Sequence, residues 1–437
     1  MRVVILTQYY APEIGAPQTR LAALARELIR HGHDVEVVTA MPHHLIGRVY
    51  DGYRRKFYLR DRVDGITVHR TWVYAATGTG LRRIANYLSF ACTSLVGLAR
   101  TARPDALFVE SPPLFLSVPG WIAARARGAR LIFNVADLWP DSVRELGVMR
   151  DGPALRAASW LEQWSYRRAD VVNAVTEGIG RTLRERKGVP ASKVRFLPNG
   201  IDVDMFYPRE RDRELGRQLK LDERPTFLYA GTHGIAQGLR SVIEAAKLAE
   251  SHATVVMVGS GPTKPWLIDL ARRMKVTNVR FVDPVPLHAM PAYFSLASAS
   301  IVPLVDKPLM HGARPSKIFP SLASGVPVLF CGRGESAELL ERAGAGIRVE
   351  PERAQALADQ MIALARNEPE LARMAQCARA LAVERFAWAP IVEGWLRSIE
   401  AQCPHAVSAK SKAPDRPEPW LRSARTSLTS EEPRPPG

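Results

Sequence analysis

Short apolar runs rich in β-branched residues alternate with amphipathic stretches along the first half of the chain. The runs predict strands at residues 3–6, 35–39, 66–70, 106–109, 131–134, 171–175 and 194–197. Between the first two, Leu21, Leu24 and Leu28 fall on one face of a predicted helix over residues 18–30. Alternation of strands and helices favours a parallel, doubly wound sheet.

The same pattern begins again near residue 225. It predicts a helix over residues 238–249 and strands at 226–230, 254–259, 279–282, 300–303, 326–330 and 346–349. The segment before it, residues 198–220, is turn-rich and then highly charged, which is typical of a hinge. The predicted fold class is α/β, with domains at residues 1–198 and 199–386, as a chain of 437 residues allows. The composition of residues 404–437 predicts a disordered tail.

Positive charge is concentrated in the first half. The chain has a net charge of +16, and residues 1–200 hold 29 Lys and Arg against 17 Asp and Glu. This predicts an anionic partner, such as a lipid surface, a phosphate-bearing substrate or a nucleic acid. A solvated, arginine-rich surface is an equally weighted alternative.

The cysteines and the N-terminus indicate a cytoplasmic protein. Cys92, Cys331, Cys377 and Cys403 are far apart, without C-x-x-C spacing, so neither a zinc site nor a disulfide framework is predicted. A reducing compartment fits this pattern, and no secretory signal peptide is expected.

One uncharged segment, residues 84–99, has arginines on both sides. It is shorter than the ~18 apolar residues that a membrane span requires. It could lie in the lipid interface, with Arg82 and Arg83 near anionic headgroups. Alternatively, it is an ordinary buried helix that places three leucines in the core, namely Leu88, Leu95 and Leu98.

The most informative chemistry lies in residues 313–328. Arg314 and Lys317 supply fixed positive charge, and Ser316 could cap a helix whose free amides face an anion. Two cations and a helix end can stabilise a diphosphate leaving group without a metal. This segment is therefore the predicted diphosphate site.

Two glycine-containing loops follow predicted strands. Gly15 precedes the first helix, where a small residue would let phosphate approach the helix N-terminus. Gly231, Gly234 and Gly238 surround the start of a helix in the second half, where backbone amides could cradle a diphosphate or merely form a flexible connection. Neither loop contains a G-x-G-x-x-G or Walker pattern.

Two acidic residues follow the predicted strand at 131–134. An acid at the carboxyl end of such a strand, like Asp137, is a candidate for binding a hydroxylated substrate. A helix N-cap is the alternative, and it is preferred for Asp141.

Two patterns that suggest a metal are interpreted otherwise. Asp202-Val203-Asp204 matches D-x-D, but it lies in the predicted hinge and is assigned to a turn. The tandem His43-His44 has no apparent third ligand, so it is assigned to a substrate loop or the surface.

Several motifs, in this order and at these spacings, are specific when taken jointly. They are Tyr10-Ala11-Pro12-Glu13 with Gly15 and Arg20, Gly32-His33-Asp34-Val35, Asp137-Leu138-Trp139-Pro140, Pro198-Asn199-Gly200-Ile201-Asp202, Gly259-Ser260-Gly261-Pro262 and Pro315-Ser316-Lys317-Ile318. Through these motifs, nearly the whole ordered chain, about residues 1–400, resembles the family-4 retaining glycosyltransferases of the GT-B fold. The likeness is greatest to the bacterial branch that includes the N-acetyl-fucosamine transferases of capsule and O-antigen assembly.

The resemblance implies two Rossmann-like, doubly wound domains that face each other across a cleft, with a last helix at residues 387–403 crossing back to the first. It implies transfer, with retention and with no metal or other cofactor, of a hexosyl or N-acetylhexosaminyl unit from a nucleotide-diphosphate sugar, expected to be UDP-linked. The acceptor would be a lipid-diphosphate-linked or free saccharide in surface polysaccharide biosynthesis. The protein would be cytoplasmic and peripheral on an anionic membrane surface, with no nucleic-acid partner.

The resemblance also implies roles for individual residues. Asp137, Lys317 and Arg314 would be catalytic. The donor would contact Gly15, Gly231, Thr232, Gln237, Gly259, Val285, Ser316, Glu335 and Glu338. The acceptor would contact Glu13, Arg20, His43 and His44.

The sequence departs from the wider family at one motif. Two Glu residues eight positions apart are replaced here by Gly312 and Pro320. The second Glu usually grips the ribose, and Glu335 and Glu338 are candidate substitutes. The departure leaves open a non-catalytic, nucleotide-sugar-binding assembly subunit. A sugar-nucleotide 2-epimerase, which shares the fold, is a further alternative.

Overall fold

The computed structural model describes residues 1–400 except 14, 45–46, 77, 79, 146, 148–150 and 222. The predicted tail at 404–437 lies outside the described residues, as do the last three residues of the predicted helix at 387–403.

The first half forms an eight-stranded sheet. Its strands are β1 Arg2–Leu6, β2 Asp34–Ala40, β3 Tyr58–Val63, β4 Ile66–Thr71, β5 Ala106–Ser111, β6 Arg130–Val135, β7 Val171–Ala174 and β8 Val194–Phe196. They lie in the order β3-β4-β2-β1-β5-β6-β7-β8, and every neighbouring pair is parallel except β3 with β4. The helices are α1 Ala16–Arg30, α2 Leu81–Arg100, α3 Ser117–Arg127, α4 Asp141–Glu145, α5 Pro153–Arg168 and α6 Glu177–Glu185.

The second half forms a six-stranded, wholly parallel sheet. After α7 Arg213–Gln218 come the strands β9 Thr226–Ala230, β10 Thr254–Val258, β11 Val279–Val282, β12 Ala299–Pro303, β13 Val328–Cys331 and β14 Gly346–Val349. Their order, β11-β10-β9-β12-β13-β14, is that of a dinucleotide-binding fold. The helices are α8 Arg240–Leu248, α9 Lys264–Arg273, α10 Met290–Ser295, α11 Ile318–Ala323, α12 Glu335–Arg342, α13 Ala354–Ala365, α14 Glu368–Arg385 and α15 Trp388–Glu400.

The predicted fold class, two doubly wound Rossmann-like sheets, is confirmed, and each predicted strand is present. Strand β3 was not predicted. It forms the sheet edge and pairs with β4 through the two-residue turn Asp64-Gly65. Three of its six residues, Tyr-Leu-Arg-Asp-Arg-Val, are charged, and none of the six is fully buried. The Asp-Gly pair was the available signal for a hairpin.

Helix α2 includes the uncharged segment at residues 84–99. Leu98 is buried, but 44% of Leu88 and 37% of Leu95 are exposed. The interpretation as an ordinary buried helix is therefore wrong for two of its three leucines, because the helix turns one apolar stripe outward. Among the described helices, none combines the length and hydropathy needed to cross a membrane.

The last helix, α15, packs on the first sheet. Its apolar residues recur every three or four positions, and Val392 and Trp395 join the cluster that contains Ile5 and Phe108. The Trp395 ring meets the Phe108 ring edge-on at 6.0 Å between centroids. The indole Nε1 of Trp395 donates a hydrogen bond of 2.9 Å to Asn173 Oδ1. The chain thus returns from the second sheet to the first.

We expect Trp395→Ala to lower the free energy of unfolding by about 3–5 kcal/mol, because it opens a cavity and leaves Asn173 without its donor. Urea denaturation followed by circular dichroism measures this change. Arg397→Ala, on the exposed side of the same helix, is the matched control and should change stability by less than about 0.5 kcal/mol. Equal stability of the two variants would contradict the packing described for α15.

Candidate active site

A cavity of about 1000 Å³ is lined by residues from both halves of the chain. Its walls include loops that follow β1, β6, β9 and β10, at the carboxyl ends of the strands. Open α/β sheets bind ligands at these ends. The volume lies at the upper end of the usual range for ligand sites, roughly 300–1,000 Å³.

The structure brings most of the predicted site residues together in this cavity. Those that line it are Gly15, Arg20, His44, Asp137, Gly231, Thr232, Gln237, Gly259, Val285, Arg314, Ser316, Lys317, Glu335 and Glu338. Their individual roles stay predictions. Two predicted acceptor residues, Glu13 and His43, do not line it.

Glu13 and His43 lie behind the cavity wall. The Glu13 carboxylate accepts backbone N–H bonds from His43 at 2.7 Å and from His44 at 2.6 Å. Burial raises the pKa of Glu13 to about 7 and outweighs the opposite effect of these bonds. His43 Nε2 lies 3.0 Å from Asn86 Nδ2. The prediction that both contact the acceptor is thus corrected, because they support the loop that carries His44.

His44 is the member of the tandem pair that reaches the cavity. Its ring lies 4.8 Å from the Tyr9 ring. Burial, with a smaller effect from the Arg83 guanidinium, lowers the pKa of His44 to about 4. The imidazole is therefore neutral at pH 7 and can exchange hydrogen bonds with a hydroxyl group.

Asp137 and Asp141 have different surroundings. Asp137 is open to solvent in the cavity and accepts a hydrogen bond of 2.9 Å from Ser142 Oγ, while the walls of the cleft raise the pKa of its carboxyl. Asp141 is the first residue of α4 rather than its N-cap, and it pairs with Lys187 at 2.8 Å. Only Asp137 is thus placed for a substrate.

Arg20 lines the cavity but already has partners. It forms an ion pair with the buried Glu110 and donates a hydrogen bond of 3.1 Å to Asn199 Oδ1. Burial raises the pKa of Glu110, and the Arg20 charge opposes that rise. The arginine therefore ties α1 to the sheet and to the hinge.

Lys317 is a cation without a counter-ion. Among the residues that the structure describes, its ammonium has no hydrogen-bond or carboxylate partner, and it lies 5.3 Å from the centroid of the Tyr229 ring. Burial lowers the pKa of Lys317 to about 8. Lys317 is partly buried, and no carboxylate offsets the solvation that its ammonium loses in the cleft. Such a site favours an anionic ligand.

Arg314 is the second cation in this region of the cavity. Its guanidinium pairs with Glu335 Oε1 at 2.9 Å and lies 5.7 Å from the centroid of the Phe386 ring. Its buried Nε has no hydrogen-bond partner within the described part of the chain. Arg314 therefore brings a second positive charge to the cavity wall.

The start of α11 differs from the expectation. The helix begins at Ile318, its N-cap residue is Lys317, and no side chain caps it. The prediction that Ser316 caps this helix is therefore wrong, because Ser316 lies one position too early. Pro320 occupies the first turn of α11, where its missing N–H removes no intrahelical hydrogen bond.

The loops after β9 and β10 touch backbone to backbone. A Cβ added to Gly259 would lie 2.1 Å from the carbonyl oxygen of Gly231, so only glycine fits there. A Cβ on Gly231 would lie 3.0 Å from Lys317 Cε. Glycine at position 231 therefore leaves room for the lysine, and glycine at position 259 lets the two loops approach.

The D-x-D segment forms a turn, as the sequence indicated. Asp202 Oδ1 accepts backbone N–H bonds from Asp204 at 3.1 Å and Met205 at 2.9 Å. Across the described ranges, we find no cluster of three or more His, Cys, Asp or Glu residues arranged for a metal ion.

Contacts across the cleft were not predicted. Thr176 caps α6 by accepting from Ile179 N at 3.1 Å, and its hydroxyl donates to the Gly312 carbonyl oxygen at 2.7 Å. Glu145 Oε2 accepts from Leu309 N at 3.0 Å. A Thr at the start of a helical pattern signals a cap, but no sequence pattern indicates its partner in the other domain.

Comparison with known proteins agrees with this geometry. Residues 15–200 match the family described as "Glycosyl transferase 4-like domain", and residues 224–367 match "Glycosyl transferases group 1". The fold is similar to sucrose-phosphate synthase from Thermosynechococcus elongatus, with a TM-score of 0.72, 16% identity and coverage of 92% of this chain and 98% of that one. The fold is also similar to Anabaena HepE in complex with UDP-glucose, with a TM-score of 0.69, 18% identity and coverage of 92% of this chain and 100% of that one.

The chain is a glycosyltransferase of the GT-B fold, with a family 4-like first half and a group 1 second half. It is similar to WcaI of Escherichia coli strain K12, whose name provisionally describes a glycosyl transferase of colanic acid biosynthesis. The two are 28% identical over 370 residues, which cover 82% of this chain and 90% of that protein. These comparisons do not favour the epimerase alternative, and membership of the N-acetyl-fucosamine branch stays a prediction.

We expect the affinity for UDP to fall as pH rises through about 8, because the Lys317 ammonium is present below its pKa and lost above it. The dissociation constant should rise by up to about tenfold per pH unit above that pKa. Isothermal titration calorimetry from about pH 6.5 to about pH 9.5 measures it. Lys317→Arg stays charged throughout and should abolish the dependence. A flat wild-type profile would refute the assignment.

Proposed function

We propose that the protein transfers a hexosyl or N-acetylhexosaminyl unit from a UDP-linked sugar to a lipid-diphosphate-linked or free saccharide, with retention and without a metal. The observation that carries the proposal is the unpaired Lys317 beside Arg314, at one side of a cavity large enough for a nucleotide sugar and an acceptor. The name of WcaI and the UDP-glucose in the HepE structure support the polysaccharide context and the UDP donor.

The chemistry is a substitution at the anomeric carbon of the donor. The bond from this carbon to the diphosphate oxygen breaks, and the acceptor hydroxyl oxygen forms a bond on the same face. The hydroxyl proton passes to an oxygen of the departing diphosphate. Lys317 and Arg314 stabilise the negative charge that develops on that group, and fixed cations do this without reorganisation.

The other side of the cavity is proposed to hold the acceptor and the transferred sugar. Asp137 is open to the cavity and can accept hydrogen bonds from sugar hydroxyls. His44, neutral at pH 7, can position the acceptor hydroxyl. Neither group needs to remove the proton in the scheme above.

The first domain is proposed to rest on the inner face of the cytoplasmic membrane. Helices α2 and α3 pack against each other and contain no acidic residue. Their exposed apolar residues, which we call the apolar face, are Leu81, Leu88, Leu95, Val118 and Ile122. Exposed arginines at Arg82, Arg100 and Arg125 suit anionic headgroups.

Helix α2, which carries part of the apolar face, also supports the side of the cavity that we propose for the acceptor. On the buried side of α2, Asn86 accepts a hydrogen bond of 2.7 Å from Gln8 Nε2 and lies 3.0 Å from His43 Nε2. Helix α2 thus packs directly against the loop that carries His44. This proximity supports an acceptor that is anchored in the membrane.

We expect transfer of labelled sugar from a UDP donor to a lipid-diphosphate-linked acceptor, undiminished by EDTA. Lys317→Ala and Arg314→Ala should each lower kcat by about 100- to 1000-fold, because each removes one charge from the leaving group. Lys247→Ala on α8, whose ammonium pairs with Glu250 on the surface, is the matched control. Binding without turnover by the wild type would favour the assembly subunit. Abolition by EDTA with rescue by Mg²⁺ would contradict metal independence.

We expect the protein to float with anionic liposomes at low salt and to dissociate as salt rises, since each basic residue near such a surface contributes about 1 kcal/mol. Arg82→Glu/Arg100→Glu should abolish flotation, and Leu88→Ser/Leu95→Ser should weaken it at any salt concentration. Arg217→Glu/Arg240→Glu reverses two exposed charges of the second domain and should have no effect. Equal binding to neutral vesicles would contradict the electrostatic part of the proposal.

A further inference from the structure

Two glycines bring the halves of the molecule into contact across the cleft. A Cβ added to Gly178, in the first turn of α6, would lie 2.6 Å from Gly312 Cα. That distance is too short for any side chain, so the backbones touch there. The hydrogen bonds from Thr176 to Gly312 and from Leu309 to Glu145 flank this contact. We call the Gly178–Gly312 contact the clasp.

Glu335 lies at the clasp and uses both of its carboxylate oxygens. Oε1 pairs with the Arg314 guanidinium at 2.9 Å, and Oε2 accepts the backbone N–H of Gly178 at 2.6 Å. The first amides of a helix have no partner within the helix, so the Gly178 amide depends on an acceptor from outside. Because its oxygens are engaged, Glu335 is a poor substitute for the ribose-gripping Glu of the wider family.

We propose that Glu335 is a positioning residue that couples Arg314 to closure of the cleft. With the cleft closed, Gly178 fixes one carboxylate oxygen, so the other holds Arg314 in a single place. With the cleft open, Gly178 departs and the Glu335–Arg314 pair loses its anchor on the first domain. The cation that meets the diphosphate is therefore held in its working position only in the closed form. This inference rests on the proposed function, since it takes Arg314 to act on the leaving group.

The two glycines of the clasp leave different amounts of room. A Cβ on Gly178 would lie 2.6 Å from Gly312 Cα and 3.0 Å from Glu335 Oε2, so a side chain there would separate the two backbones. A Cβ on Gly312 would lie 3.4 Å from Gly178 Cα, which is an ordinary contact. The clasp therefore requires glycine at position 178.

Hydrogen exchange of the Gly178 amide tests the coupling without any need for turnover. In the full chain, mass spectrometry with single-amide resolution should find this amide protected, and more so with UDP bound. Glu335→Ala should abolish the protection, while the amide of Ile179, which Thr176 caps, stays protected. An unprotected Gly178 amide in the UDP-bound wild type, or equal protection in Glu335→Ala, would overturn the proposal.

Kinetics separate positioning from a ribose contact. Gly178→Ala and Glu335→Gln should lower kcat on the order of 100-fold, as expected for a misplaced group, while the dissociation constant of UDP rises by a much smaller factor because the other contacts of the nucleotide remain. Gly180→Ala is the matched control on the same helix, because its Cβ would make only ordinary contact, at 3.5 Å from Ala174 Cβ. Weakened UDP binding that equals the loss of rate in Glu335→Gln would identify a ribose contact and overturn the proposal. Glu335→Gln replaces a partly buried carboxylate with an isosteric amide, so it tests the proposal even if Gly178→Ala does not fold.

These tests distinguish failure of the inference from failure of the proposed function. If the wild type transfers no sugar from any donor but exchange at Gly178 depends on Glu335 and UDP, the proposed function fails and the coupling stands. If transfer occurs and Gly178→Ala retains the wild-type rate, the coupling fails and the transferase assignment stands.

Discussion

The uncompensated charge of Lys317 is the constraint around which the cleft is built. Partial removal of an ammonium from water without a carboxylate partner opposes folding, and the lowered pKa of Lys317 reflects that cost. The surroundings reduce the cost without neutralising the charge. Gly231 leaves room for the side chain, and the face of the Tyr229 ring lies nearby. A counter-ion at this position would occupy the site that we propose for the diphosphate.

The hinge and the site are physically connected. The chain crosses between the halves twice, and the crossings meet where Ile201 N donates a hydrogen bond of 2.7 Å to the Phe386 carbonyl oxygen. The ring of Phe386 also faces the Arg314 guanidinium. On the other side of Arg314, Glu335 reaches the first domain through Gly178. Arg314 therefore lies between the hinge and the clasp, and a change in cleft angle alters its surroundings on both sides.

The architecture could be predicted from the sequence, because parallel strands that are buried on both faces appear there as continuous apolar runs. Strand β3 was not predicted, because it lies at the sheet edge and its polar residues are typical of a loop. Arg314 and Lys317 line the cavity together, as their place in one charged loop predicted, while their roles stay predictions. Glu13 and His43 were misjudged because local sequence does not indicate whether a polar group faces a cavity or supports the wall behind it. The clasp could not be predicted, since Gly178 and Gly312 are distant in sequence and each resembles an ordinary turn glycine.

The most direct test of the central claim is a crystal structure of the protein with UDP bound. The proposed role of Lys317 predicts that its Nζ lies about 3 Å from a diphosphate oxygen, with an Arg314 donor at a similar distance from the same group. The claim would be contradicted by a diphosphate bound elsewhere in the cleft, with the Lys317 ammonium still lacking an anionic partner.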